Sequence, residues 1–96
     1  MIKPAIKKNL FEEVSEQIIQ LIKSGEWTPG DKIPGEMILS ESFQVSRNSI
    51  RESLKALELT GILSSKAGKG TFVSERAVRN IRNRELASLI EDESSL

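Results

Sequence analysis

The sequence predicts a small α+β domain, mainly helical, that ends in one antiparallel β-hairpin. Three observations predict it. Apolar residues recur at helical spacing in three successive stretches. Two short β-prone runs, Ile62-Leu63-Ser64 and Thr71-Phe72-Val73, then flank a loop containing Gly68-Lys69-Gly70. The length of 96 residues suits one domain with a modest core and a short extension. With hydrophobic residues at 38% and aromatics at 4%, leucine and isoleucine must fill most of that core.

The first helix is expected over residues 9–24, where Phe11, Val14, Ile18, Leu21 and Ile22 form one apolar stripe. Asn9 and Glu12 have capping-box spacing, and Gly25 suits the stop. Turn formers follow in EWTPGDKIPGE, with Pro29-Gly30 as the turn signal and residues 31–33 as a very short strand. Trp27 is read as a lid on one end of the core. The second helix is expected over residues 36–43, with Gly35 as N-cap and Leu39 and Phe43 facing inward. Val45 bridges to a third helix, capped by Ser46 and ended by Gly61, whose buried stripe is Ile50, Leu54 and Leu57. Two helices joined by so short a turn make a helix-turn-helix, and a basic hairpin directly after them has the shape of a wing. Residues 74–96 carry only a weak pattern (Val78, Ile81, Leu86, Leu89, Ile90) and read as a linker, helical at first, then an acidic terminus.

Composition excludes several function classes. With no cysteine there is no disulfide framework and no thiolate metal site. With no histidine there is no Ser-His or Cys-His nucleophile, and no metal or cofactor is implied. Gly68-Lys69-Gly70 is not a phosphate-binding P-loop, because Leu63 and Gly70 stand where that motif needs Gly and Ser or Thr. No apolar run approaches the ~20 residues of a membrane span, and the N-terminus lacks a secretory pattern, so a cytoplasmic protein is expected. The formal net charge is zero, but it is unevenly spread. Residues 45–73 carry five basic side chains against two acidic ones, net +3, whereas residues 85–96 carry four acids and no base.

The third helix holds the chemistry. Its buried stripe leaves Arg47, Asn48, Arg51 and Lys55 on the opposite face. Arginine suits the O6/N7 edge of guanine and asparagine the N6/N7 edge of adenine. Ser46, Ser49 and the amides of the first turn can hold a phosphate. On the wing, Lys66 and Lys69 can add phosphate contacts, as can Lys7 and Lys8 near the N-terminus. The bland alternative makes Arg47 and Arg51 solvated charges, with Arg51 paired to a nearby acid.

The segments GDKIPGE (30–36), VSRNSIRESLKALE (45–58), TGIL (60–63) and GKGTFV (68–73) occur in the order and spacing of the GntR family, and the chain most resembles its FadR-type branch. The resemblance covers residues 6–74. It implies a winged helix-turn-helix DNA-binding domain over that span, with residues 75–96 as a linker leading to a C-terminal effector domain that binds a small metabolite. It implies base reading by Arg47, DNA contacts from Ser46, Asn48, Ser49 and Arg51, and minor-groove insertion of Ala67 and Gly68. It also implies transcriptional control, often repression, by a homodimer on palindromic operator DNA. Three positions depart from the family pattern. Met37 replaces a base-reading arginine and could offer at most an apolar contact, for example to a thymine methyl; Ile38 replaces a charged residue; and Gln44 replaces the glycine of the turn. A left-handed Gln44 would cost about 1 kcal/mol. The exposed Met37-Ile38 pair is the one feature favouring a competing role, a winged helix used for protein contact alone.

Overall fold

A computed structural model describes residues 10–94, with side chains through residue 90. Its elements are α1 (Leu10–Lys23), α2 (Glu36–Phe43), α3 (Arg47–Leu59), β1 (Leu63–Lys66), β2 (Gly70–Val73) and α4 (Ala77–Ser94). The expected cap at Asn9, the lysines Lys7 and Lys8, and the acidic side chains beyond residue 90 lie outside the described residues.

α1 buries Val14, Ile18 and Ile22, as its periodicity requires, and Ile19 beside them; Phe11 and Leu21 sit half-buried at the margins. α3 crosses α1 with Ile50, Ser53 and Leu57 innermost, so Leu54, expected at the centre of the stripe, is displaced to its edge. Ser53 fills the crossing because a small residue lets the helices approach. Its hydroxyl donates to the Phe11 carbonyl at 3.2 Å, which satisfies a polar group that burial would otherwise strand. Leu39 of α2 is buried, and Phe43, Val45 and Trp27 pack against the cluster from its periphery.

The turn between α2 and α3 is set by Gln44, at φ 56° and ψ 47°. This left-handed conformation lets the Gln44 and Val45 amides reach back to the Glu41 and Ser40 carbonyls of the last helical turn. Ser46 then starts α3, its side chain accepting the Ser49 amide at 3.1 Å.

β1 and β2 pair antiparallel, Leu63 opposite Val73 and Lys66 opposite Gly70. The short strand expected at residues 31–33 is a single bridge, Lys32 to Phe72. Its flanking amides complete a third edge, with Gly30 donating to Val73, Val73 to Asp31 and Ile33 to Thr71. The turn before it is closed by Asp31, whose carboxylate accepts the Thr28 amide and hydroxyl at 2.8 and 2.9 Å; the amide bond, then the hydroxyl, hold that carboxyl below its ordinary value.

Residues 77–94, read as helical only at first, form one helix throughout, consistent with a run free of glycine and proline and rich in Arg, Leu, Ala and Glu. Ala77 and Ile81 enter the core, Asn80 donates to the Gly61 carbonyl at 2.7 Å, and Lys23 pairs with Glu85 at 2.7 Å. Val78, Leu86, Leu89 and Ile90 face outward.

Candidate nucleic-acid interface

Packing decides which side of α3 faces solvent. With Ile50, Ser53 and Leu57 against α1, the residues Arg47, Asn48, Arg51 and Lys55 are left exposed together. The first turn is organised by two serines. Ser46 Oγ accepts the Ser49 amide and donates to Ser49 Oγ at 3.0 Å, so the Ser49 hydroxyl proton remains to point outward. The positive end of the helix, this hydroxyl and two arginines thus occupy one place.

The arginines do not extend freely. Glu36, first residue of α2, takes both. Arg47 Nε and Nη2 donate to Glu36 Oε1 at 3.2 and 2.9 Å; Arg51 Nε donates to Oε2 at 3.0 Å and its Nη2 to Oε1 at 2.8 Å. The Arg51 bonds, then those from Arg47, hold the Glu36 carboxyl below the ordinary glutamate value of 4.5, and the same bond raises the Arg51 guanidinium above its own. An acid partner for Arg51 was expected from sequence only as the bland alternative, without Glu36 being singled out.

The clamp leaves the arginines usable. Glu36 engages the Nε–Nη2 side of each guanidinium. A guanidinium has five N–H donors, so each keeps three, including both on Nη1. The remaining Nη1–Nη2 end is the pair that meets a guanine edge bidentately. Glu36 therefore holds each guanidinium from one side and leaves its Nη1–Nη2 end open.

Beside the clamp on α2, Met37 and Ile38 are 56% and 57% exposed, so the apolar pair stands at the surface as the sequence suggested. The other predicted residues belong to the hairpin. Lys66, Ala67, Gly68 and Lys69 are all exposed at its tip, which is closed by the Lys69 amide donating to the Lys66 carbonyl at 2.9 Å. Lys66 Nζ lies 4.7 Å from the Phe72 ring centroid, a cation–π seat that steadies its stem. A hollow of about 650 Å³ between α1 and α4 is lined by Glu13, Glu16 and Glu85 with Arg84, a setting that would repel phosphate. Among the described residues no group of acids, histidines or cysteines could hold a metal ion, and no helix is long and apolar enough to cross a membrane.

A capped, arginine-bearing helix after a tight turn, followed by a basic hairpin on the same core, defines a winged helix-turn-helix of the transcription-regulator class. The chain belongs to the GntR family: the family model described as bacterial regulatory proteins, gntR family, matches residues 10–73. It is 43% identical over 70 residues to the HTH-type transcriptional regulator LutR of Bacillus subtilis, which covers 73% of this chain and 32% of LutR. The chain spans about a third of the length of such curated relatives. Among solved structures it is similar to the AraR DNA-binding domain in complex with operator ORR3, at 35% identity and TM-score 0.69, over 77% of this chain and 89% of that one. A transcriptional regulator from Oenococcus oeni has the same fold, with TM-score 0.79 at 18% identity, over 98% of this chain and 81% of that one.

Proposed function

We propose that this chain reads operator DNA, with α3 in the major groove, Arg47 and Asn48 on base edges, and Arg51 and Lys55 on bases or neighbouring backbone. Ser46 and Ser49 hold a phosphate at the start of α3. Lys66 and Lys69 grip backbone while Ala67 and Gly68 enter the minor groove. The observation that carries this reading is the side-on hold of Glu36 on Arg47 and Arg51, which presents two guanidinium ends from the first turns of a capped helix. Met37, beside the clamp, offers an apolar contact to a thymine methyl. In support, a domain of the same fold and 35% identity is described in complex with its operator.

The reading extends to the whole regulator. Two copies bind a palindromic site, and a metabolite-binding effector domain of the FadR type follows the winged helix in a cytoplasmic protein that represses its target. Selection from random duplexes, followed by operator binding of Arg47→Ala, tests the core of this. The variant should stay folded and lose about 10- to 100-fold in affinity for the selected site. A folded variant with unchanged affinity removes Arg47 from the reading set.

A further inference from the structure

The outer face of the hairpin holds one more cation in place. Lys66 lies opposite Gly70, and Lys32 bridges to Phe72 from the other side. Cross-strand partners and residues two apart share a face, so Lys32, Phe72, Gly70 and Lys66 stand together on the side away from buried Leu63 and Val73. Lys66 is seated on the Phe72 ring. Lys32 is seated on Gly70. A Cβ at position 70 would lie 2.8 Å from Lys32 Cε, 3.6 Å from Nζ and 3.8 Å from Cδ. Gly70 has φ +115°, a backbone that calls for a residue without a side chain, and the lysine stem runs over the space the glycine leaves.

This seat serves no ion pair. Among the described residues no carboxylate pairs with Lys32; the adjacent Asp31 is committed to Thr28. Residues 62–73 contain no acid, and Lys66 and Lys69 flank the same tip. The amine therefore stands on the face that carries Lys66, next to the tip that carries Lys69, with no acid paired to it among the described residues. A polyanion with regularly spaced charges matches that arrangement, and the hairpin tip lies where the proposed function puts the minor groove and its two bordering backbones.

We propose that Lys32 is a DNA-contacting residue that grips a backbone phosphate beside the wing; this rests on the DNA-reading function above. The test is a salt titration of duplex binding with wild type, Lys32→Gln and Lys32→Arg, using the selected operator and a random duplex, with Arg47→Ala in parallel and thermal melting of each chain. Lys32→Gln should melt as wild type and lower the slope of log affinity against log salt by about 0.9 on both duplexes. Over a fourfold rise in salt, wild type then loses roughly three- to four-fold more affinity than the variant. Lys32→Arg should keep the wild-type slope. A wild-type slope in folded Lys32→Gln overturns the proposal; if Arg47→Ala still loses operator preference, the DNA-reading function stands without it. If Arg47→Ala is silent as well, or no duplex binds, that function falls too.

Discussion

Replacing Glu36 by glutamine removes one negative charge, keeps the side chain's size and should move two kinds of DNA binding in opposite directions. In the wild-type chain one carboxylate accepts four hydrogen bonds from two guanidiniums, Oε1 taking three and Oε2 one. A glutamine amide keeps one acceptor oxygen. Its NH2 group would confront donors of Arg47 or Arg51, so at least one arginine is released. Ordering a long side chain at an interface costs about 0.5–1.5 kcal/mol, and an arginine already held does not bear that cost again. Releasing one or both should therefore reduce the preference for operator over random duplex by roughly ten-fold. Removing the charge acts on every sequence alike: at about 8 Å in water one unit charge repels a phosphate by about 0.5 kcal/mol, so random-duplex affinity should rise about two-fold. Competition anisotropy at fixed salt measures both. The free chain offers a related check, since the Glu36 carboxyl should titrate below 4.5. Its hold on the arginines is present above that value and is lost as pH falls through the lowered one. If Glu36→Gln binds both duplexes less well, the carboxylate serves folding rather than aim; if preference is unchanged, the arginines are directed by the DNA alone.

The other predictions concern the wing, the turn and assembly. Lys69→Ala should weaken specific and random duplexes about equally and lower the salt slope by about one ion; an unchanged slope removes Lys69 from the phosphate contacts. Gln44→Gly should relieve a left-handed non-glycine residue at an exposed position and stabilise the fold by up to about 1 kcal/mol, a rise of a few degrees in melting temperature. A lower melting temperature would mean that the glutamine side chain contributes more than its backbone costs. Sedimentation should find two copies on each selected palindromic duplex and a weak dimer at most without DNA; one copy per duplex would defeat the two-fold arrangement.

Local patterns in the sequence carried the elements, and tertiary contacts carried what they missed. The bounds of α2 and the Ser46 cap follow from residues next to them in the chain, and both stand as read. The left-handed turn at Gln44 was signalled only through the resemblance, which puts a glycine at that position, and the backbone there is left-handed. The Glu36 clamp was not, since its partners lie 11 and 15 residues away on another helix, beyond any helical period. The signal present was a lone acid opening α2 ahead of a basic motif, which reads equally well as a helix-start preference. Ser53 was not among the expected core residues, because its place there depends on how closely α1 crosses α3. α4 read weakly because only Ala77 and Ile81 enter the core, while its other apolar residues face outward.

The attachment of α4 has a mechanical consequence. From Ala77 to Glu85 the helix is fixed by Ile81, by the Asn80 bond to Gly61 and by the Lys23 pair; beyond that it projects. Gly61, at φ +76°, is where α3 hands over to the hairpin, and the Asn80 side chain bonded to its carbonyl ties α4 to that joint. The Ser74 amide, just before the helix, also donates to the Ile62 carbonyl. The nine residues from 86 to 94 make a lever arm of about 13 Å, so a sideways shift of about 1 Å at its tip tilts the anchored turns by about 4° if the helix stays straight. That tilt arrives at the junction between the arginine-bearing helix and the wing, and a push on the outer turns would swing the two elements as a pair.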